Sequence, residues 1–100
     1  MPRKKAEPGI GFDKHAWEDY LYFKTHDQKL SARIDELIQE ALRSPLEGKG
    51  KPERLIGDLA GFYSRRINRE HRLVYTYVDG LLVIAQCRFH YQLCSLAFIT

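Results

Sequence analysis

The sequence predicts a single α+β domain in which two N-terminal helices pack on a small antiparallel sheet. Three observations carry this. Leu30, Ile34, Leu37, Ile38, Ala41 and Leu42 recur at i, i+4, i+7 and i+8, the stripe of an amphipathic helix. After a loop at 44–53 that spacing gives way to β-branched and aromatic runs, so helices come first and strands after. Asp79-Gly80 lies between two such runs and is a strong hairpin signal.

Residues 1–9 hold prolines, a glycine and a basic run and read as a flexible arm. Ile10-Gly11-Phe12 is a short first strand. Asp13 caps a helix whose Trp17, Tyr20 and Leu21 are spaced as its core stripe. Asp27 caps the second helix, and Pro45 ends it, because the residue before a proline avoids the helical region. The loop Ser-Pro-Leu-Glu-Gly-Lys-Gly-Lys-Pro-Glu follows. Arg54-Leu55-Ile56 is a short strand. Residues 62–67 alternate weakly, with a turn from Asn68 to Glu70. Residues 72–78 form a strand, and 81–89, the most apolar run, is expected as the central strand. The expectation is a meander of three or four antiparallel strands in a domain spanning 10–91, followed by an apolar extension at 92–100.

With 44% apolar and 29% charged residues in 100, the composition is that of a globular chain and excludes a disordered one. No apolar stretch approaches the ~20 residues of a membrane helix. The basic start Met1-Pro2-Arg3-Lys4-Lys5 is not followed by an apolar block, so no secretion signal is read and the cytoplasm is the expected compartment. Cys87 and Cys94 make neither a disulfide framework nor a zinc site; they read as reduced thiols, with Cys87 packed in the sheet. The net charge, 16 − 13 = +3, is modest, but residues 43–72 carry 8 basic and 4 acidic side chains where 13–42 carry 4 and 7. A basic block beside an acidic one suits a polyanionic partner such as nucleic acid, although a solvated surface can look the same.

Gly48-Lys49-Gly50-Lys51 lacks the strand and helix of a phosphate-binding loop, and no cofactor motif or metal-ligand cluster is present. What remains is a dispersed set: Glu53, Arg65, Arg72, His90 and Tyr91. RNA cleavage by the adjacent 2′-hydroxyl needs a base, positive charge for the phosphorane and an acid for the departing 5′-oxygen. Glu53, Arg65 with Arg72, and His90 supply those types. Because the nucleophile is inside the substrate, no metal is required. Taken singly, each of these residues is also an ordinary solvated or structural side chain, so the residues alone leave a basic RNA-binding domain open.

Beyond single residues, several segments resemble the YoeB (Txe) toxins of the RelE/ParE superfamily: Trp17-Glu18-Asp19-Tyr20, Glu47-Gly48-Lys49-Gly50-Lys51-Pro52-Glu53, Ser64-Arg65-Arg66-Ile67, Glu70-His71-Arg72-Leu73-Val74-Tyr75 and Cys87-Arg88-Phe89-His90-Tyr91. The resemblance runs in order from about Ile10 to Tyr91. It implies an mRNA endoribonuclease acting at the ribosome, inhibiting translation, and held inactive by a YefM-like antitoxin; it also admits a homodimer, and it involves no membrane and no cofactor. It places the general base on Glu53, the charge-stabilising arginine on Arg72, the general acid on His90 and the terminal active-site tyrosine on Tyr91. It also implies phosphate or RNA contacts from Lys49, Lys51, Arg65 and Arg66. Two features depart from the family: the basic arm is extra, and residues 92–100 continue where the family's chains stop. Leu93, Leu96, Phe98 and Ile99 make that tail too apolar to stay in water without a partner. A surface groove or a second subunit is its expected destination.

Register poses a difficulty. A regular two-residue turn at Asp79-Gly80 sets Arg72 opposite Cys87, and alternation then points Arg72 and His90 to opposite faces. A shared site requires the register to break between Cys87 and His90. Three other readings compete: a non-catalytic RNA- or ribosome-binding module on the same scaffold, a secreted guanyl-type ribonuclease, and a gyrase-binding ParE-like toxin. The missing signal peptide disfavours the second, and the presence of both Glu53 and His90 disfavours the other two.

Overall fold

The computed structural model describes residues 9–89; the expected arm before Gly9, the pair His90-Tyr91 and the extension 92–100 lie outside the described residues. The elements run β1 (Gly9–Phe12), α1 (Lys14–His26), α2 (Gln28–Arg43), β2 (Glu53–Arg54), a 3-10 turn (Gly57–Leu59), β3 (Tyr63–Arg66), β4 (Arg72–Val78) and β5 (Leu81–Gln86). Gly9, expected in the arm, belongs to β1.

Both aspartates cap as anticipated. The Asp13 carboxylate accepts from the His15 N–H at 2.7 Å and that of Asp27 from Leu30 N–H at 3.1 Å, satisfying amides that a helix start leaves unpaired. Asp27 also closes α1, its own N–H donating to Phe23 O at 2.8 Å. The α2 stripe is core: Ile34, Leu37, Ile38 and Ala41 are buried, with Leu30 and Leu42 packed against them. In α1 the expected stripe is only partly right. Ala16 and Phe23 are the buried residues, whereas Trp17 and Leu21 stay largely exposed. Trp17 instead stacks on Tyr20, with Phe12 packed against both rings. Two apolar phases compete on this helix, and contact with β5 selects the one through Ala16 and Phe23.

The sheet has five strands in the order β1-β5-β4-β3-β2 and is mixed, which corrects the expected three- or four-stranded antiparallel meander. β2 through β5 are antiparallel neighbours, but β1 pairs parallel with β5, from Gly9↔Leu81 to Phe12↔Ile84. After the hairpin, one edge of β5 still has unpaired backbone groups. The chain between β1 and β5, two helices and then β2 to β4, is the long connection that a parallel pair needs. β5 is thus interior, and β4 is the middle strand. Asp79 and Gly80 take φ of 51° and 80°, the positive pair required by a tight hairpin turn, with Val78 opposite Leu81. β2 shrinks to Glu53 and Arg54, displaced by a residue from the expected Arg54-Leu55-Ile56 strand.

The sheet has two faces. Leu73, Tyr75, Leu82, Ile84 and Cys87 pack with α1 and α2, while Val74 and Ala85 pack on the other side with Leu55, Leu59 and Phe62. Cys87 is a buried free thiol, and burial pushes it up to about 12, so it is no nucleophile near neutral pH.

On the helix face, Arg65 is fully enclosed, at 0% exposure. Its Nε donates to the Tyr75 hydroxyl at 2.8 Å, Nη1 to Lys49 O at 2.7 Å, and Nη2 to Ser44 O at 2.6 Å and Glu47 O at 2.8 Å. The Tyr75 hydroxyl in turn donates to Pro45 O at 2.8 Å. Burying a guanidinium is costly unless its donors are matched. Here they meet carbonyls just past the C-terminus of α2, where the helix dipole favours a cation. Gly50 completes the fastening. Its φ is 89°, its carbonyl accepts from Arg66 N–H at 2.6 Å, and a Cβ there would come within 2.9 Å of Leu37 and 3.0 Å of the Arg65 Cβ.

Arg65→Met should therefore cost at least about 3 kcal/mol, because several carbonyls lose a charged donor together. A urea-unfolding midpoint checks this, and a loss under about 1 kcal/mol would contradict the clamp. His71 yields a second prediction. Burial lowers its pKa from 6.5, partly countered by the Glu70, Asp19 and Asp27 carboxylates and reinforced by Arg88. Its neutral ring contributes stability that is fully present above about pH 6.5 and is lost as pH falls from there through the lower folded-state value. Thermal unfolding of the wild type against His71→Asn should diverge in that window, with the wild type showing the steeper acid loss.

Candidate functional site

Strand pairing assembles the site. Glu53 on β2 lies opposite Ser64 on β3, and Ser64 lies opposite Val74 on β4, which pairs with Gln86 on β5. Cross-strand partners share a face, so Glu53, Ser64, Val74 and Gln86 form one row away from the helices. One row further along, Arg66 lies directly opposite Arg72. Ser64 and Arg66 are two positions apart, as are Arg72 and Val74, so both arginines project to the same side as Glu53. Glu53 and Arg72 are two strand spacings and a two-residue step along the strand apart, about 12 Å between backbones, a gap their long side chains can span from either side of a phosphate. Like charges placed directly opposite repel, so an Arg66–Arg72 pair is a position that an anion stabilises.

The adjacent arginines Arg65 and Arg66 part company. Arg66 is exposed on the Glu53 face, whereas Arg65 is sealed on the helix face with its guanidinium committed to loop carbonyls. The expected phosphate contact from Arg65 is at odds with that enclosure; alternation along β3 allows only one of the two to face outward. Lys49 is turned toward α2, its ammonium 2.5 Å from Glu36 Oε2, and this hydrogen bond and charge hold the Glu36 carboxyl below its ordinary range. Lys51 is exposed at the loop end, with φ of 47°. A shallow depression of about 260 Å³ beside Glu53 is lined by Arg54, Leu55, Ile56 and Leu59. A second depression, of about 320 Å³ among Ile10, Phe12, Tyr20, Asp35, Ile38 and Gln39, holds none of the expected site residues.

The anticipated register break exists, but earlier than expected. Tyr75 pairs with Ile84 and Val74 with Gln86, so Ala85 is an extra residue bulging from β5. Beyond the bulge, the Arg72 N–H donates to Phe89 O at 3.0 Å, so Cys87 is no longer its partner. His90 and Tyr91 themselves lie outside the described residues.

Three polar residues went unnoticed in the sequence. Ser64 and Gln86 are buried in the Glu53 row, and their Oγ and Oε1 have no hydrogen-bond partner among the described residues. Gln86 Nε2 donates to Arg88 O at 2.5 Å and Phe89 O at 2.7 Å. Its signal was legible, a lone amide ending the run Leu-Leu-Val-Ile-Ala. His71 accepts the Phe89 N–H on Nδ1 at 2.8 Å, and nothing in its local sequence announces that long-range bond. No helix among the described residues is long and apolar enough to cross a membrane.

Residues 12–91 match the family model described as a YoeB-like toxin of bacterial type II toxin–antitoxin systems. The chain is 54% identical over 83 residues to Toxin YoeB of Synechocystis, covering 83% of this chain and 96% of that one. Its structure is similar to the YoeB chain of a YoeB–YefM complex from Staphylococcus aureus, with a TM-score of 0.78, 49% identity, and coverage of 86% of this chain and 100% of that one. A YoeB dimer from the same organism matches with a TM-score of 0.78, 50% identity and the same coverage. The chain therefore belongs to the YoeB-like toxins of bacterial type II toxin–antitoxin systems.

Proposed function

We propose that this toxin is a ribosome-dependent mRNA endoribonuclease, metal-independent, which inhibits translation in the cytoplasm. The observation that carries the reading is the strand register that sets Glu53, Arg66 and Arg72 on one face opposite the helices. Glu53 takes the proton of a ribose 2′-hydroxyl, and that oxygen attacks the adjacent phosphorus. Negative charge gathering on the non-bridging oxygens is held by Arg72 with Arg66. The bond from phosphorus to the 5′-oxygen breaks, and His90 protonates the leaving oxygen. The products are a 2′,3′-cyclic phosphate and a 5′-hydroxyl. The scheme requires Glu53 ionised and His90 protonated together. Tyr91 is the proposed terminal active-site residue of this scheme.

Arg66, not Arg65, is the phosphate arginine in this scheme. Lys51, and Lys49 once it exchanges Glu36 for a phosphate, contact the RNA backbone, fixing position rather than sequence. A YefM-like antitoxin is the proposed inhibitor, as in the Staphylococcus aureus complex, and a homodimer is the proposed free form, as in the dimer from that organism. Residues 10–91 are the proposed toxin domain.

His90→Ala and Glu53→Gln should each slow cleavage of ribosome-bound message by about 10²–10⁴-fold while leaving the unfolding midpoint near wild type. His90→Ala cutting at the wild-type rate would refute the assigned acid, and a wild type that binds RNA without cutting would make the domain a binding module. The slow residual cleavage of a ribosome-free oligonucleotide expected at high enzyme concentration should be unchanged by excess chelator and leave a cyclic phosphate detectable by mass; its loss on adding chelator would refute metal independence.

A further inference from the structure

We infer that His71 is a positioning residue for the proposed cleavage, acting through the backbone of Phe89, the residue immediately before His90. The inference rests on the nuclease reading above. Phe89 has φ of 65°, a left-handed conformation that a bulky aromatic residue does not adopt without outside support. The support is present on both sides of the residue. His71 Nδ1 accepts its N–H at 2.8 Å, and its carbonyl accepts from the Arg72 N–H at 3.0 Å and from Gln86 Nε2 at 2.7 Å. Edge-to-face packing of the Phe89 and His71 rings, 5.9 Å between centroids, adds contact.

His71 is itself held. Asn68 Oδ1 accepts from the His71 N–H at 2.8 Å and the Glu70 N–H at 2.9 Å, an Asx turn that fixes the β3–β4 connection. The His71 carbonyl accepts from Ile67 N–H at 3.0 Å. Phe23 of α1 packs against the ring at 5.2 Å, and the side chain is about 10% exposed. A neutral ring with its proton on Nε2 is the form that accepts at Nδ1.

The consequence is geometric. Arg72, the first residue of β4, and His71 just before it grip the same residue. The arginine that holds the phosphate and the chain leading into the general acid are thereby tied to one piece of backbone. An error of about 1 Å in such an arrangement can cost on the order of 10²-fold in rate. The Ala85 bulge is what brings Phe89 within reach of both.

The test uses two variants. His71→Phe keeps a ring against Phe23 but offers Phe89 no acceptor. His71→Asn places an amide oxygen near the position of Nδ1. The expected result for His71→Phe is a fall in kcat of about 10- to 100-fold with KM within about twofold, and faster hydrogen exchange at the Phe89 amide by NMR. His71→Asn should recover most of kcat and of the amide protection. Wild-type kcat in His71→Phe with the Phe89 amide deprotected overturns the role. Equal loss in both variants, tracking their loss of thermal stability, also overturns it by making His71 merely structural. If the wild type itself does not cleave, the nuclease reading fails and takes this role with it; an active wild type with an equally active His71→Phe removes this role alone.

Discussion

The buried guanidinium of Arg65 is the interaction on which the rest of the molecule depends. It joins the end of α2, the glycine-rich loop and the middle of the sheet, through Ser44 O, Glu47 O, Lys49 O and the Tyr75 hydroxyl. The loop contributes no side chain of its own to the core between Pro45 and Gly50, so without that cation its carbonyls would be enclosed without donors. Its path also decides where β2 begins. Gly50 seated on β3 leaves only Lys51 and Pro52 before Glu53, which pins the carboxylate opposite Ser64. The buried charge on the helix face thus fixes where Glu53 stands on the opposite face.

A second constraint comes from the far end of the sheet. The tight turn at Asp79-Gly80 fixes β4 against β5, and the Ala85 bulge then shifts the pairing by one residue. A regular ladder would set Arg72 opposite Cys87, whereas beyond the bulge the Arg72 N–H meets Phe89 O. An inserted residue is the smallest change that resets the register, at the loss of one ladder position. Gln86 and His71 stabilise the distorted stretch by binding the backbone groups that the ladder no longer pairs.

The family's recognisable segments fall on these same constraints. The Glu-Gly-Lys-Gly-Lys-Pro-Glu run is both the loop held by Arg65 and the carrier of Glu53. The Ser-Arg-Arg-Ile run supplies one inward and one outward arginine by strand alternation. The Glu-His-Arg run supplies the His71 acceptor and Arg72 side by side. Residues packed against the helices and residues on the opposite face are interleaved along each strand, so the motif reads as a unit although its members point in opposite directions.

The sequence by itself determined the helix caps at Asp13 and Asp27, the α2 stripe, the hairpin turn and strand β4, because each depends on interactions within a few residues. Its residue types also named Glu53, Arg65 and Arg72 as candidates, to which the resemblance added Arg66. Only the tertiary structure decided that β1 joins β5 in parallel, since that pairing links chain ends separated by two helices and three strands. Likewise, the face each arginine takes is a matter of register, not composition: Arg65 and Arg66 are identical in type and adjacent in sequence, and alternation buries the first and exposes the second. The α1 phase, chosen between two apolar stripes by contact with β5, and the Ala85 bulge, invisible in a uniformly apolar run, were settled by the same long-range packing, which no local pattern encodes.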